Sequence, residues 1–255
     1  MKTASLVAAI AACSLSAMAS AAVESAQFGG AYTQRFGETS WATAQPVSSF
    51  VGPAYDTTNY VTTGATGFGV GATSSITLNR TYGDTLSMSG GIGSTLDTFA
   101  FTVFCSGSSA ADLVSATETI AFYRLSDSSF IGGFTVTLGP LAKGYYTNLS
   151  LTSLSSLGIT FDTNDVLVTQ QLSNVVGATR MGVAFGSNNT SPAPAVGTTT
   201  AGLYITDAAT APGLYTFTGS TANSNGVFQV GVVPAPGAMA LLGVAGLVGG
   251  RRRRS

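Results

Sequence analysis

The chain has no histidine, two cysteines, one tryptophan and only 8% charged residues over 255 positions. Each shortage closes off chemistry. Without histidine, Ser-His-Asp and Cys-His nucleophile systems and histidine-based zinc sites are excluded. The commonest general base near neutral pH is missing as well. Cys13 falls in the leader described below, so Cys105 is left alone and the mature chain has no intrachain disulfide. Cys105 lies in an alternating apolar run and reads as a buried thiol rather than a reactive one. The single tryptophan, Trp41, makes for a thin supply of the aromatic platforms that sugar-binding modules present.

Charge is scarce and also uneven. Lys2 and Arg251, Arg252, Arg253 and Arg254 account for half of the ten basic residues. Residues 22–232 hold the other five and all eleven acidic residues, a net charge of −6. A body of that sign repels a polyanion, so no nucleic-acid partner is expected.

The N-terminus reads MKTASLVAAIAACSLSAMASAAVESAQ. One lysine, an apolar stretch from about Ala4 to Ala12 and two A-x-A sites have the layout of a secretory signal peptide. Residues 1–21 are therefore expected to form a signal helix, cleaved after Ala19 or Ala21. Ile10-Ala11-Ala12-Cys13 resembles a bacterial lipoprotein box, which is the other processing route.

The C-terminus reads VVPAPGAMALLGVAGLVGGRRRRS. Fourteen uncharged residues run from Gly237 to Gly250. As a helix they reach about 21 Å, short of a bilayer core of about 30 Å. Pro234 and Pro236 prevent the helix from extending backwards. Arg251–Arg254 then act as a stop that keeps the chain's end in the cytoplasm. Pro-x-Pro, a small-residue span and a terminal arginine cluster together resemble a PEP-CTERM sorting signal, over residues 233–255. Pro234 and Pro236 match the motif prolines, and Ala235 stands where the family has glutamate. The resemblance implies a bacterial, exported protein linked to exopolysaccharide, whose tail is processed by exosortase, an integral membrane cysteine transpeptidase. The body stretches ETIAFYRL, GGFTVTLGP and DVLVTQQL also loosely resemble the β-sandwich ectodomains of such proteins.

Between the termini, period-two alternation dominates. DTFAFTVFC puts Phe99, Phe101, Val103 and Cys105 on one face and Thr98, Ala100 and Thr102 on the other. GGFTVTLG, TNLSLTSL and RMGVAFG alternate in the same way. Further strands are expected at 75–82, 119–125, 166–171, 202–206 and 226–232. LSDSS at 125–129 and FDTND at 161–165 are turn chemistry. Only SAADLVSATE at 109–118 suggests a helix, and residues 22–74 read as edge strands and loops. Many short strands without interleaved helices predict an all-β fold, a two-sheet antiparallel β-sandwich over 22–232 with a jelly roll as one arrangement. A short C-terminal transmembrane helix follows it.

Candidate sites are few. Asp162, Asn164 and Asp165 place oxygen ligands close together, as calcium loops do, but the glycine and glutamate that complete such loops are missing. An Asx turn entering a strand accounts for them equally. Tyr145-Tyr146 reads as strand packing or as a stacking platform. GATGFGVGA at 64–72 lacks dinucleotide-binding spacing and reads as a loop or bulge. The sequons at Asn79, Asn148 and Asn188 are expected by chance in so Thr/Ser-rich a chain. No catalytic residue, cofactor or metal is expected. The reading is an exported, non-enzymatic cell-surface or extracellular-matrix protein sorted through its tail. The alternative is a carbohydrate-binding module acting on exopolysaccharide. A two-carboxylate glycosidase is the third reading.

Overall fold

The structure is a computed structural model that describes residues 21–22, 27–35, 42–43, 53–58, 68–70, 80–106, 113–177, 180–187, 194–200, 202–206, 212–215 and 224–234. The expected signal helix (but for Ala21) and the C-terminal span lie outside the described residues, as do Ala235, Pro236 and Arg251–Arg254. Among the described residues, no helix is long and apolar enough to cross a membrane.

The strands are, in chain order, β1 (Ala21–Ala22), β2 (Gln27–Arg35), β3 (Ala42–Thr43), β4 (Pro53–Asp56), β5 (Phe68–Val70), β6 (Thr81–Ser87), β7 (Ser94–Ser106), β8 (Ser115–Arg124), β9 (Phe130–Leu138) and β10 (Tyr145–Thr152). After a single 3-10 turn at Leu154–Leu157 come β11 (Thr160–Phe161), β12 (Asp165–Val176), β13 (Arg180–Val183), β14 (Phe185–Ser187), β15 (Thr198–Thr199), β16 (Leu203–Thr206), β17 (Gly213–Tyr215), β18 (Ser224–Gly226) and β19 (Phe228–Pro234).

They form two packed sheets and a separate antiparallel pair, β14 with β18. Sheet I has the order β1-β9-β8-β12-β6-β16-β17, with β15 also on β6. Sheet II has the order β3-β2-β10-β7-β13-β5, with β11 and β19 on β7 and β4 on β19. The pairing is antiparallel except for β1, which lies parallel to β9. β7 is the spine of sheet II. One edge carries β10, and the other is shared by β13 near Cys105 and β19 from Phe101 to Ser94. The chain changes sheet between β1 and β2, β5 and β6, β6 and β7, β7 and β8, β9 and β10, β11 and β12, and β12 and β13, so the core is closed by non-local pairing.

Alternation explains the core. Phe99, Phe101, Val103 and Cys105 of β7 all point inward and are at most 1% exposed. Phe99 is the hub. Its ring stacks against Phe101 and Phe228 at 6.0 and 5.8 Å within sheet II. It meets Phe122 and Phe134 of sheet I edge-on at 5.6 and 6.2 Å. Aromatic pairs in that range add about 0.5–1.5 kcal/mol beyond burial, so this cluster ties the layers together.

The sequence-based expectations are corrected at three points. Ser115–Glu118, expected to end a short helix, opens β8 instead. Ala and Glu favour helix locally, but ladders from β9 and β12 on both sides outweigh that preference. Phe68–Val70, inside the expected glycine loop, forms β5 against Met181, Gly182 and Val183. The last strand does not stop at 232: Val233 and Pro234 remain paired with Thr95 and Ser94.

Candidate functional site

Pro234 is the first residue of the expected sorting motif, and it is the last residue of β19, opposite Ser94 and exposed. No spacer separates the sandwich from that motif. At the other end, β1 sets Ala21 against Phe134 and Ala22 against Thr135. Cleavage after Ala19 keeps both pairs, whereas cleavage after Ala21 removes one.

The three oxygen-bearing residues at 162–165 are committed elsewhere. The Arg124 guanidinium pairs with Asp162 and, at 3.0 Å, with Asp127. The Asn164 side-chain oxygen accepts the backbone N–H groups of Gly91 and Ile92 at 3.0 and 3.2 Å. Asp165 accepts the Ser87 hydroxyl at 2.6 Å, and its own N–H donates to the Thr163 hydroxyl. The segment thus fastens the 88–93 turn to the start of β12. Among the described residues, no group of three or more Cys, Asp or Glu could hold a metal ion. Asp127, in the turn between β8 and β9, is lowered to about 2, chiefly because the Ser129 hydroxyl and N–H donate to it.

Tyr146 is no stacking platform. It is 2% exposed and packs edge-on against Phe104 at 6.2 Å, and burial pushes its phenol up to about 12. Tyr145 begins the same strand, which has β2 and β7 on its two sides. Cys105 is buried. Asn148, in one sequon, is buried and donates to the Thr102 hydroxyl at 2.9 Å, so no glycan can reach its amide. Asn79 and Asn188 lie outside the described residues.

Two buried carboxylates sit on the inner face of sheet I, which the alternation argument did not single out. Glu118 shares its side of β8 with Ala116, Ile120 and Phe122. The signal was present, because Glu118 has the same parity as Ile120 and Phe122. Burial raises its pKa well above the usual range, opposed only by the Gln170 amide donating at 3.0 Å. Its second oxygen has no hydrogen-bond partner among the described residues. Asp84 lies between Tyr82 and Leu86 on β6. Burial raises it too, opposed by N–H donation from Gly226 and Thr85, each at 2.7 Å. Phe122, Val168 and Asp84 share one row of the sheet, so Glu118 lies four residues along and two strands across from Asp84. That is about 16 Å from ordinary strand dimensions, beyond the roughly 5–9.5 Å that two-carboxylate glycoside hydrolysis needs.

The outer faces of the two sheets differ. On sheet II, Ala100, Thr102 and Phe104 of β7 and Ser150 of β10 are at most 4% exposed. On sheet I, the outer side chains of β8 and β9 are half-buried or exposed except for Ala121 at 1%, whereas Leu167 and Thr169 of β12 and Thr85 of β6, on the same face, are at most 5% exposed. Four register rows cross this strip: Thr117 beside Thr137, Thr119 beside Thr135, Ala121 beside Gly133, and Tyr123 beside Phe130. The Phe130 ring is 48% exposed and meets Tyr123 at 5.6 Å. A Cβ on Gly133 would come within 2.7 Å of the Ile120 carbonyl oxygen, so glycine there lets the strands approach and lowers the surface. On β12, Ser173 and Gln171 continue the two threonine rows.

No family model matches the chain, and no curated protein or solved structure shows significant similarity to it. What stands is the class: an all-β protein of two packed antiparallel sheets.

Proposed function

We propose that this chain is an exported, non-enzymatic protein of the bacterial cell surface or extracellular matrix, sorted through its C-terminal tail. Two features support the reading. The termini have the layout of a signal peptide and of a PEP-CTERM tail, with Pro234, Ala235 and Pro236 as the motif and Arg251–Arg254 as the stop. Strand β19 of the sandwich also includes Pro234, so the folded domain reaches the first motif residue. The single observation that carries the proposal is that junction: the last ladder pair is the first motif residue. In this reading a signal helix precedes the sandwich, a short membrane helix follows it, and the switching between sheets is a jelly-roll variant. An exosortase-like transpeptidase is the processing partner, and the membrane is a transient one.

The test is mass spectrometry of the mature C-terminus in membrane and medium fractions. Loss of the residues after the motif is the expected result. Retention of Ser255 in every fraction means the tail is an anchor alone.

A further inference from the structure

We infer that the open outer strip of β8 and β9 is a binding face for an uncharged polysaccharide chain. The inference rests on the matrix reading for the origin of that polymer and on strand register for the face itself.

The four rows lie about 7 Å apart, so the strip is about 20 Å long, enough for several consecutive pyranose rings. At one end Phe130 offers a solvent-facing ring, braced edge-on by Tyr123. The apolar face of a pyranose covers such a ring without losing hydrogen bonds from its rim hydroxyls. Next comes the Ala121–Gly133 step, where side-chain volume is least. Ala121 is 1% exposed, so a ring crossing there lies over the half-buried Gly133 of β9. Beyond it, Thr119 beside Thr135 and Thr117 beside Thr137 present hydroxyls on both strands, each able to donate and accept. One hydroxyl is already engaged: the Asn174 amide donates to Thr117 at 3.3 Å.

Charge selects the partner. No residue in these rows on β8 or β9 is an acid or base charged near neutral pH, although the body as a whole is acidic. Glu118, the one acidic residue within the two strands' rows, points to the core. An anionic polymer gains no cation here and is repelled by the surrounding acidic body. A neutral polyhydroxylated chain meets neither penalty.

The experiment uses the full-length chain produced in a bacterial host and recovered from every cell fraction. It is passed over three uncharged insoluble glucans and mannans (cellulose, cross-linked dextran and mannan) with alginate as the anionic comparison. Retention on at least one uncharged polymer is expected, unchanged between about 0.05 and about 0.5 M NaCl. Phe130→Ser should weaken it about tenfold or more, and Thr119→Val with Thr135→Val by less. Ile92→Ser, at an exposed turn residue outside the strip, should not change it. Thermal unfolding of each variant shows whether the sandwich survives. No retention on any uncharged polymer, or equal retention by folded Phe130→Ser, overturns the face. Fractionation reads the export proposal separately: a chain confined to the cytoplasm that still binds would sink export and leave the face standing.

Discussion

Sheet I carries Glu118, Gln170 and Asp84 among the apolar residues of its inner side and leaves hydroxyls and Phe130 open on its outer side. Sheet II has Phe99, Phe101, Val103, Leu151 and Val230 inside, and its small outer residues on β7 and β10 are withdrawn from solvent. The two are built from similar strands, Thr and Ala alternating with Phe, Val and Leu. Equal alternation therefore does not mean equal exposure. Thr102 in the outer row of sheet II is a packing residue, as are Thr169 and Thr85 on β12 and β6 of sheet I, while Thr117, Thr119, Thr135 and Thr137 on β8 and β9 reach solvent.

The largest effect expected comes from testing that contrast with a charge. Thr102→Lys on sheet II puts an unpaired ammonium where a side chain is 1% exposed. It should cost about 3–5 kcal/mol, read as a large fall in the denaturant midpoint. Thr119→Lys on sheet I should stay within about 0.5 kcal/mol. Equal losses would erase the distinction between the faces.

A smaller loss sharpens the same contrast. Asn148→Ala leaves the buried Thr102 hydroxyl without the amide that donates to it at 2.9 Å. Removing one partner of a buried hydrogen bond costs about 1–3 kcal/mol. Thr117→Ala, which loses a surface contact with Asn174, should fall below the error of equilibrium unfolding.

The inner faces differ in their response to pH. The folded state raises the pKa of Glu118 and Asp84 by burial, so it favours their neutral forms. The resulting stability is fully present below the unfolded value, about 4.3 for glutamate. It is lost as pH rises toward the folded pKa values. Denaturant midpoints of the wild type should therefore decline from about pH 4.5 to about pH 7. Glu118→Gln should be less dependent on pH over that window, matching the wild type near its acidic end and exceeding it at neutral pH. An unchanged slope in Glu118→Gln would show that the buried glutamate does not titrate there.

The smallest expected effect concerns the 162–165 segment. Asp162 pairs with Arg124 and Asn164 accepts two backbone N–H groups, so calcium should not move the melting temperature. A calcium-dependent rise that Asp162→Asn abolishes would restore the metal reading.

The sequence by itself carries the strand class, because side-chain parity is local: Phe99, Phe101, Val103 and Cys105 fall on one side of β7 whatever the neighbours are. The 125–129 turn is legible for the same reason, since Asp127 binds Ser129 two residues on. The two terminal signals are patterns of composition and need no fold to be read. Tertiary structure decided the rest. It made a strand of the helix-favouring Ser115–Glu118, because two ladders outweigh a propensity difference of less than about 1 kcal/mol per residue. It set the order of strands, and so brought Tyr123 beside Phe130 and Thr119 beside Thr135 from opposite arms of one hairpin. It also determined which parts of the outer faces are closed. Coverage of a face depends on residues distant in the chain, and no local period records it.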